Sequence, residues 1–585
     1  MNIFEADILR LLSNGKYSSQ RLLAESSGYS LGVINKSLKN LFNEGYLDSG
    51  NNLTEKARKE IAEKSPKNAV ILAAGFGMRM VPINTLSPKA FIEVHGEVLI
   101  ERIIKQLHKV GIKEIYVVVG YMKEQFEYLI DEYGVKLIVN EEYKEKNNLH
   151  SLELASQYLS NTYIIPSDIW CTNNPFNRNE LYSWYMVSDL LDDESTVRIN
   201  RRMELVTSQN GGNKMIGIAY LTDKDSNTVR NRLKQYDKEK RYFNAFWEDA
   251  IVEGDRMLVQ ANVVRSFDVV EINTYEDLRE IDEESNHLKS DAISIISDVL
   301  NVKYKEITEI EVLKKGMTNR SFLFSALGNK YIMRIPGEGT DNLVDRKGEA
   351  EVYDAIKDKG ISDDIVYINP TNGFKISKYL DGSRVCNPRN EDDLKKCMAR
   401  LRYFHYLGLK VDHSFDIFEN IEFYESLWDG NNSIYRDYNR TKEKVFSLET
   451  IIDGMEKDWC LSHIDAVPDN FLFVNHDGKE EIRLIDWEYA GMQDPHVDIA
   501  MFCIYSLYDR KEIDRLIDIY FEGKCTREVR IKIYAYISVC GLLWSNWCEY
   551  KRNLGVEFGE YSLRQYRYAK DYYKVVMEEL SNEGR

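Results

Sequence analysis

The stretches H-I-D-A-V-P-D-N, His463 to Asn470, and I-R-L-I-D-W-E, Ile482 to Glu488, decide how the C-terminal half of this chain is read. They place an Asp on a loop, an Asn five residues further on, and a second Asp at the end of an apolar strand, sixteen residues past that Asn. Phosphoryl transfer from ATP needs those three groups. Asp465 can accept the proton of an attacking hydroxyl, while Asn470 and Asp486 can hold the Mg²⁺ ions that neutralise the transferring phosphate.

Upstream, K-G-M-T-N-R-S-F-L-F-S (Lys315 to Ser325) reads as a Gly-containing hairpin, and Lys330 to Ile335 as a strand with alternating apolar positions. A Gly-bearing hairpin over the phosphates, a cation on the next strand and a Glu on the following helix are the small-lobe parts of a kinase. Here the cation is Arg334 and the Glu is Glu349, with Glu351 as its rival; Asn319 in the hairpin completes the nucleotide-binding set. Together G-M-T-N-R-S-F, Y-I-M-R-I-P-G-E-G-T, the H-x-D-x-x-x-x-N loop and I-D-W-E-Y-A-G-M-Q-D-P resemble the choline/ethanolamine kinase family, in which Arg at the Lys position is familiar. The resemblance covers about residues 290–550 and implies an α+β fold of the aminoglycoside phosphotransferase/choline kinase type for a domain of residues 284–585. It also identifies Trp544-Ser545-Asn546-Trp547 with the family's W-x-x-W. Positions three apart share a helix face, so Trp544 and Trp547, with Trp487 and Tyr489, are expected to wall a choline site.

The central segment opens after the linker K-S-P-K. Asn68 to Leu72 is a short apolar strand, followed by A-A-G-F-G-M-R, Ala73 to Arg79. The small residues Ala73, Ala74, Gly75 and Gly77 let backbone N–H groups approach a phosphate closely. Strands at 114–119, 136–139 and 163–166, interleaved with helices at 98–109, 123–132 and 150–159, predict a mostly parallel, Rossmann-like α/β sheet with ligands at the strand carboxyl ends. Lys89, in S-P-K-A, can neutralise charge developing on an α-phosphate, and Asp168, at a strand end, can bind the metal that orients a triphosphate.

These motifs resemble nucleotidyltransferases that make sugar and choline nucleotides. With V-G-Y-M-K-E-Q-F-E-Y-L and N-E-E-Y-K-E-K-N-N-L-H-S, the likeness over residues 66–283 is to bacterial CTP:phosphocholine cytidylyltransferases. It implies a second metal position in the late strand Val270 to Thr274, drawing on Glu271 and on Asn273, where the family often has Asp; an amide oxygen also ligates Mg²⁺. Arg79 would aid the attack on CTP. Aromatic faces with carboxylates nearby suit a trimethylammonium group, so Tyr182, Trp184, Tyr185, Trp247 and Glu248 are the expected choline-binding residues.

Residues 1–65 read as three helices, a small wing (G-Y-L-D-S-G-N-N-L) and a closing helix, an order similar to winged helix-turn-helix domains. The third helix offers Lys36 and Lys39 with Asn35, Ser37 and Asn40, so DNA binding and a protein-contact role both stay open. No catalytic residue lies before Ala73, and removal of the segment is expected to spare both chemistries.

A net charge of -18 argues against a dominant nucleic-acid or anionic-membrane surface. There is neither a secretory signal nor an apolar run long enough to span a bilayer, so no membrane insertion is expected. The eight cysteines lack any C-x-x-C pair and fit reduced thiols in a cytoplasmic protein. The resulting expectation is a multidomain fusion in which choline and ATP give phosphocholine, and phosphocholine and CTP give CDP-choline. Its alternatives are a choline- or nucleotide-sensing transcription regulator, and the same chemistry on ethanolamine, another amino alcohol or an aminoglycoside.

Overall fold

The computed structural model describes the chain except residues 16, 78–79, 84–86, 201, 314–318, 337–343, 429, 431, 477–478, 554–557 and 583–585. Two compact units are present, Met1–Ser294 and Ile295–Arg585.

Unit 1 begins with α1 (Ile3–Asn14), α2 (Gln20–Ser27), α3 (Leu31–Asn43) and α4 (Glu55–Lys64). Side-chain oxygens cap all four: Asn2 accepts from Glu5 N–H, Ser19 from Leu22 N–H, Ser30 from Val33 N–H and Thr54 from Ala57 N–H. Between α3 and α4, an antiparallel bridge joins Leu47 to Leu53. Ile8, Leu9, Leu23, Ile34, Leu38 and Leu41 form a small core that is completed from outside the segment by Leu181 and Tyr182.

Polar contacts reinforce that closure. Asp7 accepts from Tyr29 Oη at 2.5 Å and from Tyr182 Oη at 2.9 Å. Buried Glu180 accepts from Tyr163 Oη at 2.8 Å and Asn177 Nδ2 at 3.0 Å, with Arg10 Nη1 4.0 Å away. At the end of α4, the Glu63 carbonyl accepts from Asn161 Nδ2 at 2.7 Å and the Lys64 carbonyl from Tyr220 Oη. The first 65 residues are thus built into unit 1. Tyr182, expected from sequence at a choline site, is held in this contact with α1.

The main sheet of unit 1 has ten strands. Lys136–Val139, Glu114–Val119, Asn68–Ala73 and Thr162–Pro166 run parallel in that spatial order. Helical cover on both faces explains their unbroken apolar runs. Ile71, Val117 and Ile165 pack with Ile103 and Leu107 on one side, while Val70, Val118 and Ile164 pack with Leu149 and Leu152 on the other. Beyond Thr162–Pro166 the sheet turns mixed: Gly212–Leu221 pairs antiparallel to it, followed by Trp184–Asp192 and Arg256–Val264.

Unit 2 is α+β. A five-stranded antiparallel sheet runs in the order Thr308–Val312, Asn319–Ala326, Asn329–Pro336, Lys375–Lys378, Ile365–Ile368. Helix Arg346–Ile356 follows its third strand in sequence. The remainder is mostly helical around the long helix Arg527–Asn553, with the hairpin Phe471–His476 and Lys479–Leu484 carrying the chain toward Asp486. Among the described residues, no helix is long and apolar enough to cross a membrane.

Candidate functional sites

In unit 1 a cavity of about 760 Å³ opens at the carboxyl ends of the parallel strands, where Ala73, Ala74, Gly75, Gly77, Lys89 and Asp168 line it. Topology puts these groups together. Asn68–Ala73 and Thr162–Pro166 are adjacent and parallel, so both deliver their following loops to one rim. Gly120 permits the close approach of a third loop: a Cβ there would lie 2.8 Å from the Ala74 carbonyl oxygen and from the Tyr143 ring. Arg79 lies outside the described residues.

Short antiparallel strands Ile169–Cys171 and Val269–Glu271 bring the late segment back beside Asp168, and Ile272 N–H donates to the Asp168 carbonyl at 3.0 Å. Lys89 Nζ donates to Asp168 Oδ2 at 2.5 Å and to Asn273 Oδ1 at 2.8 Å. The lysine therefore sits between two groups read as metal ligands. Asp168 Oδ1 is buried and, among the described residues, has no hydrogen-bond partner. Burial and then the neighbouring Asp168 raise the Glu271 carboxyl above its ordinary range. An unsatisfied buried oxygen within an all-oxygen donor set fits a hard divalent cation.

In the same cavity, Tyr185 Oη donates to Glu248 Oε1 at 2.9 Å, and the Tyr185 and Trp247 rings lie 5.9 Å apart. Burial pushes the Glu248 carboxyl up to about 7. Its second oxygen is buried and has no hydrogen-bond partner among the described residues. Trp184 corrects the sequence reading: it packs in the core against Tyr163 and does not line the cavity. Successive residues of a strand point to opposite faces, so Trp184 and Tyr185 cannot both face the ligand.

Unit 2 holds a cavity of about 740 Å³ lined by Asn319, Arg334, Asp465, Asn470, Asp486 and Trp547 among others. Arg334 donates both guanidinium nitrogens to Glu349, at 2.5 and 2.7 Å, whereas Glu351 engages Asp412 N–H and His413. The open choice from sequence thus resolves to Glu349. Asn319 Nδ2 donates to Glu488 Oε2 at 2.9 Å. The preceding residues 314–318, which include the Gly of the hairpin, lie outside the described set.

The Asp465 loop is held under tension. Ile464 has φ +68° and Asp486 φ +66°, a conformation costly for a β-branched residue. Asp498 fixes the loop by accepting His463 N–H at 2.9 Å and Ile464 N–H at 2.7 Å, and His405 Nε2 lies 2.9 Å from it. Asn470 Nδ2 donates to the Asp465 carboxylate at 3.0 Å. Burial first, then the charges of Asp486 and Glu488, push the Asp465 carboxyl up to about 8. That repulsion is what a cation between the carboxylates would relieve.

Tyr489, Trp544 and Trp547 line the cavity, with Trp544 5.4 Å from Trp547 and 6.0 Å from Tyr489, near-perpendicular in both cases. Trp487 does not line it. That ring is fully buried against Phe404 and His463, and its Nε1 donates to Leu484 O and Ser362 Oγ, which makes it a core residue. Sequence reasoning missed Tyr505, Phe558 and Tyr561, which complete the aromatic wall, as well as Lys375 and Asp363.

Comparison with known proteins agrees with this division. The choline/ethanolamine kinase family profile matches residues 310–551, and the profile of the MobA-like NTP transferase domain matches residues 69–174. A choline-phosphate cytidylyltransferase of Haemophilus influenzae is 30% identical over 222 residues, covering 37% of this chain and 95% of that protein. A 2-aminoethylphosphonate cytidylyltransferase of Lancefieldella rimae is 35% identical over 208 residues, covering 32% of this chain and 80% of that protein. The crystal structure of choline kinase LicA from Streptococcus pneumoniae is 28% identical and covers 49% of this chain and all of that one, with a TM-score of 0.43. The chain therefore belongs, through its central part, to the cytidylyltransferase family that includes the choline-phosphate enzymes, and it carries a choline/ethanolamine kinase domain in its C-terminal part.

Proposed function

We propose that this chain is a bifunctional enzyme that phosphorylates choline with ATP and couples the phosphocholine to CTP, giving CDP-choline and pyrophosphate. One observation carries the reading: each unit has its own cavity lined by cationic and acidic groups suited to phosphate transfer, and the product of one chemistry is the substrate of the other. Incubating the pure protein with choline, ATP, CTP and Mg²⁺, and reading the products by mass spectrometry, tests it. CDP-choline is expected, and its absence with active nucleotide-bound protein overturns the reading.

In the kinase site Asp465 orients the choline hydroxyl and takes its proton, while Arg334, braced by Glu349, meets the ATP phosphates. Asn470 and Asp486 would hold Mg²⁺ there, and Asp168, Glu271 and Asn273 would hold it in the transferase site; when bound, it supplies charge neutralisation of the phosphates. In the transferase site a phosphocholine oxygen attacks the α-phosphorus of CTP, and the backbone from Ala73 to Gly77 cradles the triphosphate. Lys89 must leave Asp168 to reach the α-phosphate, so before substrate enters the ammonium offsets the charge of Asp168.

Glu248, Tyr185 and Trp247 favour a quaternary ammonium over a primary amine. The free Glu248 oxygen offers charge without a positioned set of acceptors, and the aromatic faces suit methyl groups. Glu248→Gln is expected to raise the phosphocholine KM by about tenfold, the equivalent of ~1 to 2 kcal/mol of lost attraction, and to leave the CTP KM unchanged. With a free carboxyl near 7, the ionised form that attracts the cation is lost below that pH. The wild-type phosphocholine KM therefore rises as pH falls from 8 to 6, and the variant loses that dependence. A primary-amine substrate preferred over phosphocholine in direct competition would contradict the assignment.

Trp547→Ala is expected to raise the choline KM about five- to thirtyfold, from ~1 to 2 kcal/mol of cation–π attraction, while the ATP KM stays near its wild-type value. An unchanged choline KM would make Trp547 a packing residue.

We read α1 to α4 with the Leu47–Leu53 bridge as a winged-helix domain. Asn35, Lys36 and Lys39 lie exposed on α3, too few cations for tight sequence-independent binding. No submicromolar binding to random duplex DNA is expected at physiological salt in a salt-titrated assay. Eight unpaired cysteines support a cytoplasmic location.

A further inference from the structure

Residues directly opposed across antiparallel strands point to the same face. Ser321 opposes Arg334, and Arg334 opposes Lys375. One step along the face, Ile332 opposes Ser377. All five residues line the unit 2 cavity. The sheet thus presents one row able to lie under a base and a second row with two cations side by side.

Lys375 has little to do as a structural ion pair. Both Glu349 oxygens already take donations from Arg334, and Arg346 Nη1 lies 3.5 Å from the same carboxylate. Lys375 Nζ stays 3.8 Å from Glu349 Oε1 and, among the described residues, makes one side-chain hydrogen bond, to Tyr353 Oη at 2.6 Å. An ammonium has three donors. Two remain on a side chain that is 7% exposed and borders the cavity that Asp465 and Asp486 line. Its pKa is lowered, first by burial and then by Arg334, against the opposing charges of Glu349, Asp363 and Asp486.

We propose that Lys375 is a second cation of the nucleotide phosphate site, donating its remaining N–H groups to oxygens of the ATP triphosphate beside Arg334. The proposal rests on the kinase reading above and adds a contact from a different strand. Arg334 is then not alone in carrying the role usually given to one strand lysine.

The test compares ADP with adenosine binding to the full chain by calorimetry, for wild type, Lys375→Met and Lys375→Arg. Lys375→Met is expected to weaken ADP about ten- to a hundredfold and adenosine by less than about twofold, with Lys375→Arg recovering most of the ADP loss. Equal changes for the two ligands, or none, would show a structural role and overturn the proposal. Should Lys375→Met fail to fold, an acyl-phosphate derivative of ATP decides on the unaltered enzyme. The Lys375 amine attacks the acyl carbonyl, a C–N amide bond forms, the C–O bond to phosphate breaks, ATP leaves and the ammonium proton passes to water. Mass spectrometry should then find Lys375 acylated and protected by excess ATP; an unmodified Lys375 would overturn the assignment. Because nucleotide binding is read without any acceptor, a wrong choice of choline as acceptor leaves this result intact.

Discussion

Asp486→Ala should abolish formation of phosphocholine from choline and ATP while leaving conversion of added phosphocholine to CDP-choline near its wild-type rate. Asp168→Ala should do the reverse. Each carboxylate is expected to hold the cation that neutralises a transferring phosphate, an effect of several kcal/mol or on the order of a thousandfold in rate. Reciprocity follows from the division of the chain, since Asp168 belongs to Met1–Ser294 and Asp486 to Ile295–Arg585. Both substitutions remove a half-buried carboxylate that repels its acidic neighbours, Glu271 in one case and Asp465 and Glu488 in the other, which offsets the lost attraction to Lys89 or to Lys375 and Arg334. Folding should survive them, and circular dichroism with paired assays of the two half-reactions separates chemistry from collapse. Loss of both activities in either folded variant would sink the two-site assignment.

Local groups explain how much of this was legible beforehand. Asp465, Asn470 and Asp486 lie within one loop and one hairpin, so their spacing in sequence is nearly their spacing in the fold. The four parallel strands of unit 1 are buried on both faces and announce themselves as apolar runs. Composition alone misleads where orientation decides. Trp184 and Trp487 each sit beside a cavity-lining neighbour, Tyr185 and Glu488, yet point into the core. Trp544 and Trp547 share a helix face, and both reach the ligand cavity.

Other groups were invisible because their meaning depends on partners far away in the chain. Lys375 gains its interest only from the strand register that sets it opposite Arg334. In an isolated strand K-I-S-K it is one more surface-like lysine. The same holds for Asp498, whose carboxylate holds the Ile464 backbone in place across thirty-four residues.

Deleting residues 1–65 should lower the stability of unit 1 and with it cytidylyl transfer, although no catalytic group lies in the deleted stretch. From sequence the segment looked dispensable. The structure supplies the opposite expectation, because its apolar core is closed by Leu181 and Tyr182 and its α1 carries Asp7 and Arg10 to meet Tyr182 and Glu180. Truncation uncovers those two side chains; losing the burial of a large apolar residue costs roughly 1.5 to 3 kcal/mol. It also strips the cation from Glu180, whose carboxyl is already raised by burial and lowered again first by Arg10. Tyr163, which bonds Glu180, stands on the strand that leads to Asp168, so disorder at this joint travels directly toward the transferase site. Arg10→Met tests the electrostatic part: it removes the cation 4.0 Å from buried Glu180 and 3.4 Å from Asp7, while Tyr163 and Asn177 still donate to Glu180, so the cost stays below the about 3 to 5 kcal/mol of a buried pair broken outright. Differential scanning calorimetry should show the transition of unit 1 moving down in both variants, and phosphocholine formation from choline and ATP should persist at temperatures where cytidylyl transfer has gone. A truncated protein with unchanged melting and undiminished CDP-choline synthesis would show that the α1 joint is a surface contact without energetic weight.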